Sequence, residues 1–144
     1  MTVIVVGAGI AGLACARELL DAGVPAKVLE RGRVVGGRLA SRKFDDRYAD
    51  IGAAYITADD PGFRGQLDSW RIAGLAHPWT DTLLAFDKGN TPRPTTGPMR
   101  WSAPGGLRGL AEDLAGELDV TLGTEVTVLP EADVVVLGDR KSVV

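Results

Sequence analysis

The chain holds one cysteine, Cys15, so no disulfide can close within it. Cys15 itself reads as a small buried residue. Histidine is as scarce: His77 stands alone before Pro78-Trp79 and reads as the end of a loop rather than as a catalytic base. No apolar run is long enough to span a bilayer, so no membrane partner is expected. Basic residues number 16 against 19 acidic ones, which leaves no positive footprint for nucleic acid. Internal repeats are absent. A basic leader is missing too: Met1-Thr2 runs at once into Val3-Ile4-Val5-Val6 and then Gly7-Ala8-Gly9, so no signal peptide is read. Together these absences give a cytoplasmic protein as the expectation. The acidic pairs Asp45-Asp46 and Asp59-Asp60 read as turn and cap residues, and no metal site is expected.

At 144 residues the chain suits one domain and would be cramped for a two-domain enzyme. Val3 to Val6 is a short apolar run rich in β-branched residues, the mark of a strand buried on both faces of a parallel sheet. A helix follows with Ile10, Leu13, Ala14, Ala16, Leu19 and Leu20 apolar, stopped by Gly23 with Pro25 beyond. Ala26 to Glu30 reads as the next strand, completing a right-handed βαβ unit. Arg31 to Arg42 reads as a basic loop, and Leu39 to Asp50 as a short hairpin. Asp60 and Pro61 open a helix whose Phe63, Leu67 and Trp70 share a face. Trp79 to Phe86 is a strand candidate, and Lys88 to Pro98 a loop rich in Gly, Pro and Thr. Gly105 to Leu118 is an amphipathic helix with Leu107, Leu110, Leu114 and Leu118 as its stripe. Val120 to Leu122, Glu125 to Leu129 and Asp133 to Leu137 are short strand candidates. Trp70, Trp79 and Trp101 are expected in the core.

Gly7-Ala8-Gly9-Ile10-Ala11-Gly12 satisfies G-x-G-x-x-G between a strand and a helix, with acidic Glu30 at the end of the following strand. Each glycine has its own reason. Gly7 permits the tight turn, Gly9 lets a pyrophosphate approach the backbone, and Gly12 lets helix pack on strand. The amides around Ile10 and Ala11 and the positive end of the helix dipole then face the anion. Glu30 can accept hydrogen bonds from ribose hydroxyls and would repel a 2′-phosphate. Arg31 and Arg33 lie beside it, so NAD, NADP and FAD all stay open at this point.

The next segments narrow the choice. Glu30-Arg31-Gly32-Arg33-Val34-Val35-Gly36-Gly37-Arg38 resembles the second flavin motif of the amine-oxidase and renalase-like flavoproteins. The resemblance implies a loop over the FAD pyrophosphate, with Gly37 in the loop and Arg38 near phosphates and flavin. Asp50-Ile51-Gly52-Ala53-Ala54-Tyr55-Ile56-Thr57 is similar to a segment of the renalase-like branch, which often carries glutamine where this chain has Ala54. By the same resemblance Gly52 and Ala53 come close to the cofactor. Pro104-Gly105-Gly106-Leu107 and Leu122-Gly123-Thr124-Glu125-Val126 resemble the family's return to its FAD domain, where the residue matching Val126 presents its backbone to adenine.

The resemblance implies an FAD-dependent oxidoreductase that takes hydride from an amine or a dihydronicotinamide-like small molecule and is reoxidised by oxygen or another acceptor. It implies an α/β fold: a Rossmann-type FAD/NAD(P)-binding domain, incomplete, with the start of an inserted substrate domain. The expected division is 1–57 for the first part of the FAD-binding domain, 58–103 for the insertion, and 104–138 for the return. Residues 139–144 fit the codon series GATCGGAAGAGCGTCGTG, the start of a common sequencing adapter, and are expected to be a non-native tail. On this reading the chain is a truncated piece, inactive as written. No catalytic residue is assigned, and the substrate and oligomeric state are left open. An NAD(P)-binding Rossmann protein and a non-catalytic nucleotide-binding module are the alternatives.

Overall fold

The computed structural model describes residues 1–89 and 91–138. The expected non-native tail, 139–144, lies outside the described residues. Strand β1 (Val3–Val6) has Val3, Val5 and Val6 buried, as its uninterrupted apolar run requires. Helix α1 (Ile10–Asp21) lays Gly12, Leu13 and Ala16 against the core. Two of those three are small, so the helix axis comes close to the strand. Gly23 ends the helix at φ +77°, a conformation that costs a residue with a β-carbon, and its N–H donates to the Leu20 carbonyl. Strand β2 (Ala26–Leu29) then pairs parallel to β1, Val3 opposite Ala26 through Val6 opposite Leu29.

The chain next builds structure outside this sheet. A single 3-10 turn at Gly37–Leu39 precedes β3 (Ser41–Phe44), which pairs antiparallel with β4 (Arg47–Asp50) around Asp45 at φ 53°. Helix α2 (Pro61–Ile72) is capped as its sequence predicts, the Asp60 carboxylate accepting from Phe63 N–H at 2.9 Å. Leu67 and Trp70 are buried and Phe63 is half-buried. Strands β5 (His77–Ala85) and β6 (Arg93–Ser102) form a separate two-stranded ribbon. Helix α3 (Arg108–Ala115) buries Leu110, Ala111 and Leu114 and packs beside α1.

Two later strands rejoin the first sheet. β7 (Asp119–Thr121) pairs parallel with β2, and β8 (Val134–Leu137) pairs parallel with β1 on its other side. The order is therefore β7-β2-β1-β8, all parallel. The chain leaves β1 toward β2 and comes back to its opposite flank, so the carboxyl end of β1 is a topological switch point, the place where open α/β sheets bind ligands. Among the described residues, no helix is long and apolar enough to cross a membrane.

Several expectations need correction. Glu125 to Leu129 forms no strand. Gly123, at φ +68°, turns the chain, and the segment finds no neighbouring strand to satisfy its backbone groups; Val128 is 80% exposed. The Lys88 to Pro98 segment is not all loop, because β6 starts at Arg93. In a two-stranded ribbon both strands are edges, so Pro94 and Pro98 are tolerated there. The expected basic loop to Arg42 gives way to strand at Ser41. The third helix starts only at Arg108, since Gly106 sits at φ +81°. Trp79 is exposed on the ribbon, Trp101 is half-buried there and packs against the core, and Cys15 is half-buried.

Candidate functional site

The site is built at the carboxyl end of β1. Gly7 turns the chain at φ +99° while its N–H donates to the Leu29 carbonyl at 2.8 Å. A β-carbon on Gly12 would stand 2.0 Å from the Gly7 carbonyl oxygen, so no other residue fits there. Gly9 is different. It has ordinary extended backbone, and a β-carbon placed on it would meet nothing within 4 Å. The space over Gly9 is open toward solvent. Gly9 is also the N-cap of α1, whose first turn has neither a side-chain cap nor an acidic residue. The amides around Ile10 and Ala11 are thus left for an external acceptor.

The segment after β2 folds back over this turn. Gly36 N–H donates to the Ala8 carbonyl at 2.8 Å, and Gly9 and Gly36 form a parallel bridge. Gly36 and Gly37 both have positive φ, 114° and 51°, and a β-carbon on Gly37 would lie 3.3 Å from Gly9 Cα. Backbone therefore lies on backbone, which two successive glycines allow. Arg38 is exposed beside them. Its carbonyl accepts from Ala53 N–H at 2.8 Å, and a β-carbon on Gly52 would strike that carbonyl oxygen at 2.1 Å. The close approach at Gly52 is thus made by Arg38. Glu30 lies just past β2. Its carboxylate accepts from Ala8 N–H at 2.8 Å and Gly32 N–H at 2.7 Å. Arg31 is exposed. The far side is closed by the chain after β7: Gly123 N–H donates to the Gly32 carbonyl and Thr124 N–H to the Glu30 carbonyl, both at 2.9 Å; Val126, two residues on, is half-buried.

Residues 10–76 match the family model of flavin-containing amine oxidoreductases. Curated relatives include an L-amino-acid oxidase from Siganus canaliculatus, 42% identical over 64 residues, and a putrescine oxidase from Kocuria rosea, 47% identical over 57 residues. The matches cover 43% and 40% of this chain and 12% of each relative, so the chain spans only a small part of the proteins it resembles. A flavin-containing amine oxidase B from Cavia porcellus is 47% identical over 55 residues, 38% of this chain and 11% of that protein. Among solved structures, putrescine oxidase bound to putrescine is 27% identical, with a TM-score of 0.49, over 67% of this chain and 22% of that one.

The residues present at this end of the sheet fit a dinucleotide. The open space at Gly9 is a cradle that any side chain would begin to fill, and the uncapped first turn of α1 supplies donors to an anion. The structure brings Gly7, Gly9, Ile10, Ala11, Gly12, Glu30, Gly37 and Arg38 to one end of the sheet. Ala53 N–H holds the Arg38 carbonyl, which Gly52 leaves room for, and Thr124 meets the Glu30 carbonyl two residues before Val126. A cleft of about 440 Å³ opens beside the first turn of α1, lined by Ile10, Ala11, Phe63, Gln66, Trp70 and Leu114. Arg17 and Glu18 also line it. Among the described residues no cluster of His, Cys, Asp or Glu is placed to hold a metal. His77 is exposed at the start of β5, its Nε2 3.0 Å from Ser102 Oγ.

Two parts of this arrangement escape the motif reading. Gly138 N–H donates to the Val6 carbonyl at 2.8 Å, and a β-carbon on Gly138 would lie 3.1 Å from Gly12 Cα. The signal was present: Gly138 directly follows the apolar run Val134–Leu137, as Gly7 follows Val3–Val6. The second is the Ser41–Asp50 pair, opposed across the β3–β4 hairpin. Nothing in the local sequence shows that this pair reaches α3.

Proposed function

We propose that this chain carries the adenine and pyrophosphate end of an FAD site in an oxidoreductase that takes hydride from a small amine. The observation carrying this reading is the seating of Gly36-Gly37 on Ala8-Gly9, which adds a second backbone layer beside the open cradle. In this proposal the amides near Gly9, Ile10 and Ala11 bind the pyrophosphate, and Arg31 and Arg38 add positive charge to it. Glu30 uses one lone pair on each oxygen for the protein amides, so acceptor capacity is left for the ribose hydroxyls. Val126 faces adenine. When bound, the flavin supplies the two-electron chemistry and the protein orients it.

Amines as the substrate class are supported by the relatives' names, L-amino-acid oxidase and putrescine oxidase. The renalase-like branch is the finer assignment, supported by the run from Asp50 to Thr57; on it, a dihydronicotinamide-like donor replaces the amine. The division at 57 and 103 belongs to the same reading. It is supported by β7 and β8 joining β1 and β2 while β5 and β6 form their own ribbon. Cytoplasmic placement is part of the proposal, supported by the single cysteine. Calorimetric titration of the polypeptide with FAD, NAD and NADP, paired with flavin fluorescence for FAD, tests the cofactor. FAD is expected to bind in preference to both others. Equal or tighter binding of NADP, or no binding of FAD at millimolar concentration, overturns the assignment.

A further inference from the structure

Asp50 Oδ1 accepts two hydrogen bonds, from Ser41 Oγ at 2.5 Å and from Leu107 N–H at 2.8 Å. Ser41 Oγ in turn accepts from Arg108 N–H at 3.0 Å. The hairpin thereby caps the first turn of α3 from 57 and 67 residues away in sequence. Ser41 is 3% exposed, and a β-carbon on Gly106 would lie 2.6 Å from its side chain, so the two elements meet without slack. The stem of Arg108 continues the contact. A β-carbon on Gly36 would stand 3.3 Å from Arg108 Cγ, and Gly36 is the residue bridged to Gly9. A continuous path thus runs from Asp50 through Ser41 and Arg108 to the glycine turn.

We infer that Asp50 is a positioning residue of the dinucleotide cradle. Through Ser41 and the first turn of α3 it holds Arg108 under Gly36 and so keeps the Gly36-Gly37 layer closed on Gly9. This inference rests on the FAD reading above, although the clamp can be tested without cofactor. The same hairpin carries Arg38 before β3 and Gly52 after β4, so loss of the clamp loosens both segments that flank the cradle.

The test uses amide hydrogen exchange on the free chain and FAD titration, with Asp50→Ala, Asp50→Asn and Ser41→Ala. In Asp50→Ala the Gly36 amide is expected to exchange roughly tenfold faster, and FAD to bind roughly tenfold more weakly, the size of one charge-assisted hydrogen bond. The Val5 and Val28 amides in the sheet should keep their protection. Asp50→Asn retains an oxygen that can accept both bonds and is expected to restore most of each effect. Ser41→Ala, which removes the acceptor for Arg108 N–H and the donor to Asp50 but leaves the Asp50–Leu107 bond, should move Gly36 in the same direction and serves if Asp50→Ala fails to fold. Unchanged Gly36 exchange in both alanine variants, or equal acceleration of Gly36, Val5 and Val28, overturns the inference. Failure of the unaltered chain to take FAD overturns the cofactor assignment alone, because the exchange data still judge the clamp.

Discussion

The Glu30 carboxylate hydrogen-bonds the Ala8 amide at 2.8 Å, tying the end of β2 to the glycine turn that follows β1. Its other oxygen holds Gly32, so one side chain fixes both loops. Removing it leaves two part-buried amides without their acceptor. Glu30→Ala is therefore expected to lower unfolding free energy by about 1–3 kcal/mol in urea denaturation. Glu30→Gln has one acceptor oxygen in place of two and should fall between. An alanine variant as stable as the parent would show that water replaces the carboxylate at no cost.

Gly12 and Gly9 are expected to separate folding from binding. A β-carbon at Gly12 collides with the Gly7 carbonyl at 2.0 Å, so Gly12→Ala must displace α1 or the turn. The expected loss is about 1–3 kcal/mol, the usual range for overpacking. At Gly9 the backbone is extended and the space is open, so Gly9→Ala should change stability by less than about 0.5 kcal/mol. FAD titration should nonetheless show a clear loss, because the methyl group occupies the pyrophosphate approach. Full FAD affinity in a well-folded Gly9→Ala protein would move the ligand away from this turn.

Trp70 is 1% exposed and its indole N–H donates to Asp113 Oδ2 at 2.8 Å, joining α2 to α3. Phe63 meets its ring edge-on at 6.2 Å between centroids. Asp113→Ala strands a buried donor and is expected to cost about 1–3 kcal/mol. Trp70→Phe removes the donor along with its need, so the double variant should be less destabilised than the two single losses added together. A double-mutant cycle by chemical denaturation measures that coupling; additive losses would mean that the hydrogen bond contributes nothing.

The glycine turn, α1 and the first parallel pair were legible because their reasons are local: a buried strand, a helix stop at Gly23, glycines at fixed spacing. The Asp60 cap and the Asp45 turn were legible for the same reason. What stayed hidden depends on partners distant in sequence. Asp50 and Ser41 cap a helix that begins at Arg108, and no short window contains both ends. Glu125 to Leu129 carries strand-forming residues, but strand formation needs a neighbour, and the edge beyond β7 offers this segment none. The Pro-containing stretch from Arg93 reads as loop until its partner β5 is known, because edge position decides whether proline is tolerated. The resemblance implies that Gly52 comes close to the cofactor; the contact that its missing side chain admits in the fold is the Arg38 carbonyl, which no local pattern announces.

Arg38 offers a test of the charge at the site that leaves the fold aside. Its side chain is exposed, while its carbonyl is anchored by Ala53, so the guanidinium can be removed without disturbing the loop. Arg38→Ala is expected to change stability by less than about 0.5 kcal/mol. FAD affinity should fall roughly tenfold, as for loss of a charge-assisted contact to phosphate. Adenosine, which has no phosphate, should bind the variant and the parent alike. The parent's FAD affinity should also weaken with added salt more steeply than the variant's, since an exposed charge pair is screened. Arg38→Lys keeps the charge but loses the planar fork and should recover only part of the affinity. Equal losses for FAD and adenosine in Arg38→Ala would place the arginine's effect in the loop backbone rather than at the pyrophosphate.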